Sequence, residues 1–326
     1  MWPAISASLL SFLIATLAVG WLARARVAQL AIDEPNARSL HTTPVPRTGG
    51  IGMLLGIAAG WMLIGHDFPW PVWIAAAIVT TVSLLDDLRG LSAAVRLAAH
   101  LLAAALAAMT LFDSEAPLLL AGAILAISWM SNLYNFMDGS DGLAGGMTLF
   151  GFLAYAIAAL MAGSTQFALL NLVIASAAAG FLVHNFYPAR IFLGDAGAVP
   201  AGFLAATFGL TGWLQQDWAW WFPLLVFSPF IVDASVTLLR RLLAGARVWE
   251  AHRDHYYQRL VLLGLGHRNT AIVEYAMMGT CAVAGLWAMT LGKPLQYTLL
   301  AAVAFAYVIA IIFIERAWKT RPDTHA

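Results

Sequence analysis

Apolar residues form long, nearly uninterrupted stretches in this chain, and polar residues gather in short segments between them. A stretch of about 17–25 apolar residues is long enough to cross the hydrocarbon core of a bilayer as a helix. We predict about eleven such helices. Their approximate bounds are 4–22, 48–65, 71–86, 93–112, 117–134, 143–162, 167–187, 198–214, 219–239, 271–291 and 297–314. The pattern therefore predicts an all-α, polytopic membrane protein.

Composition supports this prediction and narrows it. The chain is 61% hydrophobic and only 10% charged, whereas soluble domains are about half apolar and about a quarter charged. The single cysteine, Cys281, lies in an apolar run, so an intrachain disulfide is excluded and a packed core residue is expected. No basic segment precedes the first apolar run, so we expect a retained helix rather than a cleaved signal. We expect a single domain over 1–326.

Basic residues fall almost entirely on one side of the predicted helices. If the connections alternate sides, all but one of the 17 Lys and Arg residues share a side, and Lys293 is the exception. Because cytoplasmic loops carry the excess of basic residues, we predict a periplasmic N-terminus and a cytoplasmic C-terminus. The loops predicted to face the cytoplasm and to carry the chemistry are 23–47, 86–92, 132–142, 188–197 and 240–270.

Carboxylates collect at the inner ends of these helices. Each would cost about 2.5–3.5 kcal/mol at a helix centre, and neighbouring carboxylates repel unless a cation compensates them. Mg2+ commonly takes one or two carboxylates together with water and phosphate oxygens. Each cluster also has a simpler interpretation: a polar helix end, an Asx-rich turn, or a helix cap. The acidic residues are Asp86, Asp87, Asp138, Asp141 and Asp195.

Amides and glycines accompany the carboxylates. Asn132 and Asn135 are three residues apart, so they would share one face of a helix end. Asn185 precedes the segment that contains Asp195, and Gly194 lets backbone approach a ligand closely there. These polar groups, placed beside lipid, need partners.

The remaining candidates are basic or aromatic. The segment His252-Arg253-Asp254-His255, followed by two tyrosines, suits a nucleotide diphosphate, although an amphipathic surface helix is an equal alternative. In the first inner loop, Arg38, His41 and Arg47 could meet a phosphate, or could simply mark a cytoplasmic loop.

Two further charged residues lie closer to the membrane. Arg96 could hold a lipid phosphate or extend to the headgroups. Asp233 lies deeper and is a functional candidate, with Arg240 as the partner that would make it structural.

The order of these motifs resembles that of the polyprenyl-phosphate N-acetylhexosamine-1-phosphate transferases, the glycosyltransferase family 4 membrane enzymes. The resemblance extends from about residue 33 to residue 260. Its motifs are Asp33-x-Pro-x-x-Arg38-x-x-His41 with Arg47, then Asp86-Asp87, Asn132-x-x-Asn135 with Asp138-Gly-x-Asp141, Gly194-Asp195, and His252-Arg-Asp-His255.

The resemblance implies transfer of a sugar-1-phosphate from a UDP-sugar to undecaprenyl phosphate, with release of UMP. It implies Mg2+ as cofactor, with Mn2+ as the alternative, a membrane-lipid environment, no nucleic acid partner, and a homodimer as a family-level expectation. It makes Asp86, Asp87, Asp138 and Asp141 catalytic, and Asp195 and Asp87 metal ligands. The residues expected to bind substrate are Asn132, Asn135, His252, Arg253, His255, Arg38, His41, Arg47, Arg96 and Asn185.

The last motif departs from the peptidoglycan branch of the family, which carries a run of three histidines. We therefore expect UDP-GlcNAc or a related N-acetylated deoxyhexosamine as donor, and the first membrane step of O-antigen or another cell-envelope glycan, at the bacterial inner membrane. The alternatives are a phospho-MurNAc-pentapeptide transferase and, from another class, an ion- or sugar-coupled transporter. Direct attack and a covalent aspartyl intermediate both remain open.

Overall fold

A computed structural model describes residues 2–24, 31–35, 39–65, 70–112, 116–247 and 252–321. It consists of helices joined by short loops, with one two-stranded antiparallel pair, β1 (Ile32–Asp33) and β2 (Val45–Pro46). The helices are α1 (Trp2–Leu22), α2 (Gly49–Ile64), α3 (Trp70–Arg89), α4 (Ala93–Leu111), α5 (Pro117–Met137), α6 (Leu143–Ala162), α7 (Thr165–Asn185), α8 (Asp195–Leu214), α9 (Trp221–Val226), α10 (Ser228–Leu243), α11 (Tyr256–Leu260), α12 (Gly266–Met289) and α13 (Lys293–Lys319).

The predicted all-α membrane fold is confirmed, and every predicted span coincides with helix. Within the described ranges, nine helical segments are long and apolar enough to cross a membrane, and α11 and α12 form one of them through a π-helical turn at Val261–Leu265. Helix α2 is shorter, with 16 residues. The protein is therefore a multi-pass membrane protein.

The ninth predicted span, 219–239, is two helices rather than one. Helix α9 ends at Val226 and α10 begins at Ser228. Pro229 cannot donate a backbone hydrogen bond to the preceding turn. The Ser228 hydroxyl donates instead to the Leu225 carbonyl, over 2.7 Å. The break is thus a local consequence of the proline, and its hydrogen bonding is restored by the neighbouring serine.

Two predicted helix ends differ in a way that affects function. Helix α3 continues to Arg89, so Asp86 and Asp87 lie in its last turns rather than in a loop. Helix α8 begins at Asp195, three residues before the predicted start. The predicted spans ended at residue 86 and began at residue 198 because the apolar pattern alone defined their bounds. In the structure the acidic residues are helix-terminal residues that neighbouring elements contact.

The core lies in α6, α7 and α8, whereas no residue of α13 is buried. Polar side chains tie the inner helices together. Ser11 donates to the Val173 carbonyl over 2.9 Å, and the Trp61 indole donates to the Leu170 carbonyl over 3.0 Å. Such bonds hold helices together where lipid offers no hydrophobic driving force between them.

A backbone junction fixes the segment that precedes α8. Phe192 donates its N–H to Pro46, and Gly49 and Gly50 donate to Phe192 and Leu193, over 2.7–2.9 Å. Gly194 follows with φ +73° and ψ 169°, a conformation essentially restricted to glycine. A Cβ there would lie 2.1 Å from the Arg47 carbonyl oxygen. The first inner loop and the start of α8 are thus packed backbone against backbone.

We predict that Gly194→Ala lowers the unfolding free energy by more than ~3 kcal/mol, since it combines backbone strain with a backbone clash. Gly163→Ala is the matched control, because Gly163 also has positive φ, +89°, but has nothing within 4 Å of its Cβ position. We expect the control to cost only about 1–2 kcal/mol. Thermal unfolding in detergent measures both. Equal midpoints for the two variants would contradict the clash.

Candidate active site

A cavity of about 730 Å³ opens at the C-terminal ends of α3 and α5 and the N-terminal ends of α4 and α8. The first inner loop and the segment 252–258 complete its walls. Most of the side chains that the sequence singled out converge here. Those that line the cavity are Asp86, Asp138, Asp141, Asp195, Asn132, Asn135, His41, Arg47, Arg96, His252 and His255.

Arg96 joins two of the carboxylates across the cavity wall. Its Nη1 donates to Asp86 Oδ2 over 2.9 Å and lies 3.8 Å from Asp195 Oδ2. The other Asp86 oxygen accepts the Leu91 N–H. Asn135 Nδ2 donates to Asp195 Oδ2 over 3.2 Å. Asp86 is thus fully engaged in holding the α3–α4 corner, and Asp195 faces an arginine and an amide.

Asp87 supports the site from behind. Its two carboxylate oxygens accept the N–H groups of Asp195 and Ala196, over 3.3 and 2.9 Å. Arg47 pairs with the same carboxylate at 3.5 Å and donates to the Asp87 carbonyl over 2.7 Å. A carboxylate at the N-terminus of a helix satisfies unpaired N–H groups and the positive end of the helix dipole. Asp87 is not among the cavity-lining residues, so the structure places it as the group that orients Asp195.

The turn after α5 contacts the segment that precedes α8. Asp138 accepts the Gly194 N–H over 3.2 Å, and Asp141 accepts the Ala189 N–H over 2.9 Å. Burial, reinforced by the Asp195 carboxylate, raises the pKa of Asp138 well above its usual range. Asp138 and Asp195 are therefore neighbouring carboxylates that both line the cavity and whose charges are incompletely compensated.

This donor set fits a divalent cation that a substrate completes. Among the residues that the structure describes, no group of three or more His, Cys, Asp or Glu side chains is arranged to hold a metal ion. Mg2+ takes one or two carboxylates together with water and phosphate oxygens. Asp195 and Asp138 would supply them rather than the expected Asp195 and Asp87, because Asp87 does not line the cavity. Mg2+ at this site stays a prediction.

Two predicted binding residues do not line the cavity, and a third is not described by the structure. Asn185 accepts the Gly142 N–H over 3.0 Å and donates to the Ile191 carbonyl over 2.9 Å, so it joins two loops behind the cavity. Arg253 is not among the cavity-lining residues. Arg38 lies outside the described residues.

Asp233 anchors the histidine segment. It accepts the N–H groups of Tyr256 and Tyr257, each over 2.9 Å, and its Oδ1 lies 3.1 Å from His255 Nδ1. Asp233 is thus structural, but through this segment and not through Arg240 as the sequence suggested. Because the Asp233 carboxylate accepts a hydrogen bond from Nδ1, the Nε2 atom of His255 stays available.

The second histidine of this segment, His252, is neutral near pH 7. Burial first, then the nearby His255 and Arg241, lower the pKa of His252 to about 4.

Glu315, near the end of α13, holds the same segment from outside. It accepts hydrogen bonds from Arg240, from Arg259 over 2.9 Å and from the Tyr256 hydroxyl over 3.1 Å. Sequence reasoning missed Glu315. In the sequence, Glu315 is a single carboxylate near the end of the last apolar run. Nothing in the sequence indicates that its partners lie more than 50 residues earlier in the chain.

His267 was also missed. Its ring nitrogens lie 3.0 Å from the Ser140 hydroxyl and 3.2 Å from the Leu40 carbonyl, so it joins the turn after α5 to the first inner loop. In the sequence it was one of many charged residues in the segment 240–270. His100 and Ser83 line the cavity as well, and no motif contained them.

Comparison with known proteins identifies the family of the chain. Residues 69–213 match the model of the family described as Glycosyl transferase family 4. A Streptomyces coelicolor protein named as a glycosyltransferase is 33% identical over 297 residues, covering 86% of this chain and 69% of the relative. The chain belongs to glycosyl transferase family 4.

Two further relatives of this family 4 protein carry more specific names. A Bacillus subtilis protein named as an undecaprenyl-phosphate N-acetylglucosaminyl 1-phosphate transferase is 29% identical over 263 residues, 75% of this chain and 74% of the relative. A Staphylococcus saprophyticus phospho-N-acetylmuramoyl-pentapeptide-transferase is 31% identical over 176 residues, 53% of this chain and 54% of the relative.

We predict that Asp233→Asn loosens the histidine segment. The asparagine side chain has only one acceptor oxygen, so its NH2 group would face one of the two backbone N–H groups that Asp233 now binds. Protection of the Tyr256 and Tyr257 amides should fall by about 1–3 kcal/mol in hydrogen exchange. Asp217→Asn is the control, since Asp217 is a buried carboxylate at the opposite end of the helices, bonded to Ser164. Unchanged protection in Asp233→Asn would contradict the anchoring.

Proposed function

We propose that this protein transfers an N-acetylhexosamine-1-phosphate from a UDP-sugar to undecaprenyl phosphate and releases UMP. The observation that carries the proposal is the single cavity into which Asp138, Asp195, Arg96 and His252 converge from separate elements. The names of the relatives support the same reaction. The basic residues at this end of the helices support a site on the cytoplasmic face of a bacterial inner membrane.

The acidic, basic and neutral residues of the cavity would have different roles in the reaction. Asp195 and Asp138 would hold Mg2+, which supplies positive charge against the donor diphosphate. Arg96, which lies 3.8 Å from Asp195, and Arg47 add fixed cations to the same cavity. The neutral His252 and the Nε2 of His255 can bond phosphate or nucleotide oxygens without adding charge. Phosphoryl transfer depends mainly on positioning and charge neutralisation, and the cavity supplies both.

The hydrogen bonding of the acid pair supports direct attack. Both Asp86 oxygens are engaged, by Leu91 and Arg96, and both Asp87 oxygens are engaged by α8. A covalent aspartyl intermediate would require one of these carboxylates to give up a hydrogen bond that holds α4 or α8, which favours the direct reaction. In the direct reaction an oxygen of the lipid phosphate bonds to the sugar-bearing phosphorus, and the bond from that phosphorus to the UMP oxygen breaks.

UDP-GlcNAc or a related N-acetylated deoxyhexosamine is the proposed donor, for the first membrane step of O-antigen or another envelope glycan. The His-Arg-Asp-His segment supports this choice over a muramoyl-pentapeptide donor. So does the broader coverage of the N-acetylglucosaminyl relative, 74% against 54%.

We predict that Asp195→Ala lowers UMP release by at least about a hundredfold. The assay uses purified protein in detergent with UDP-GlcNAc and undecaprenyl phosphate. EDTA should abolish the wild-type rate and Mg2+ should restore it. Asp217→Ala, at the far end of α8, is the control and should retain wild-type activity. A near wild-type rate for Asp195→Ala would refute the site.

We predict that UDP-MurNAc-pentapeptide competes poorly with UDP-GlcNAc in the same assay. A panel of UDP-sugars with one lipid phosphate then ranks the donors. Preferred turnover of the pentapeptide donor would assign the protein to the peptidoglycan reaction instead.

A further inference from the structure

A second layer of polar side chains lies below the carboxylates, deeper along the helices. Ser83 precedes Asp86 by three residues on α3, His100 follows Arg96 by four on α4, and Asn132 precedes Asn135 by three on α5. With a rise of 1.5 Å per residue, this layer lies about 5 Å below the first. All three residues line the same cavity.

Two of these three side chains have hydrogen-bonding capacity left over. His100 is 4% exposed; the Asn132 side chain lies beside it, but neither ring nitrogen forms a hydrogen bond of good geometry. Ser83 is 3% exposed and its hydroxyl makes none. The Asn132 side-chain amide donates a hydrogen bond to the Ser128 carbonyl over 2.8 Å. Buried polar groups without partners are rare in native proteins, because each costs its desolvation. Several that line one cavity indicate a ligand.

The direction of the reaction identifies the ligand. On the proposed cytoplasmic orientation, the donor enters from the side of the histidine segment, where His252, His255 and Tyr257 line the cavity. In phosphoryl transfer the attacking and leaving oxygens lie roughly in line on opposite sides of the phosphorus. If UMP leaves toward the aqueous end, the attacking phosphate approaches from the membrane side, where the second layer lies.

We propose that Ser83, His100 and Asn132 form the subsite for the phosphate monoester of the lipid acceptor. This inference rests on the proposed function and goes beyond it by assigning the acceptor to residues of its own. A hydroxyl and an imidazole N–H donate hydrogen bonds to phosphate oxygens, and Arg96, one turn above, supplies the cation.

The test separates acceptor from donor kinetics. In His100→Ala and Ser83→Ala, KM for undecaprenyl phosphate should rise about tenfold, while KM for UDP-GlcNAc changes less than twofold. His100→Gln keeps an N–H donor and should recover most of the loss. Thr80→Val is the control, because Thr80 lies on the same helix, bonds its own Ala76 carbonyl and does not line the cavity.

Binding without donor gives a second readout. Polyprenyl phosphate and the polyprenol of equal chain length are titrated against wild type and variants in detergent, by intrinsic tryptophan fluorescence. The variants should bind the phosphate about tenfold more weakly and the alcohol equally well. If His100→Ala fails to fold, as judged by its thermal midpoint, Ser83→Ala and His100→Gln carry the test.

The outcomes are distinct. A rise in the donor KM alone would give the subsite to the sugar of the donor and overturn the inference. Equal weakening of phosphate and alcohol would show a packing role and also overturn it. Normal acceptor kinetics in all variants of an active enzyme overturn the subsite only. A wild-type protein that neither binds polyprenyl phosphate nor releases UMP overturns the proposed function itself.

Discussion

The carboxylate of Asp87 bound to the first N–H groups of α8 is the interaction on which the site depends. It joins the end of one membrane helix to the start of another and compensates a buried negative charge with the helix dipole and Arg47. A buried carboxylate without such partners would be strongly destabilising. Because α8 starts here, Asp195 becomes its first residue and faces the cavity.

The histidine segment is also held by carboxylates that come from other helices. It follows a loop, yet its backbone is bound by Asp233 of α10 and its flanking side chains by Glu315 of α13. No residue of α13 is fully buried. Helix α13 contacts the segment through Glu315 and through Trp318, whose ring lies 5.0 Å from the Arg259 guanidinium. Neither Asp233 nor Glu315 lies within residues 69–213, which match the family model. The segment is held by parts of the chain outside that match.

The proposed reaction orders the groups that line the cavity. Ser83, His100 and Asn132 lie about one helical turn farther along their helices than the charged residues, and the histidine segment closes the other side. Such an order suits a reaction between one water-soluble and one lipid substrate, because each can reach the charged residues from its own phase. Asp86 and Asp87 are paired with Arg96 and Arg47, which limits the cost of placing these charges near lipid.

The sequence by itself determined the helical membrane fold, because long apolar stretches admit no other structure in a bilayer. It also named most of the residues that line the cavity, since carboxylates, amides and histidines are conspicuous against an apolar background. Only the tertiary structure decided their roles. Asp87 and Asn185 turned out to support loops and a helix start, while Glu315, His267 and His100 joined the site without any local motif. The reason is physical: a side chain's role depends on which hydrogen bonds remain open after packing, and those partners come from helices far apart in sequence.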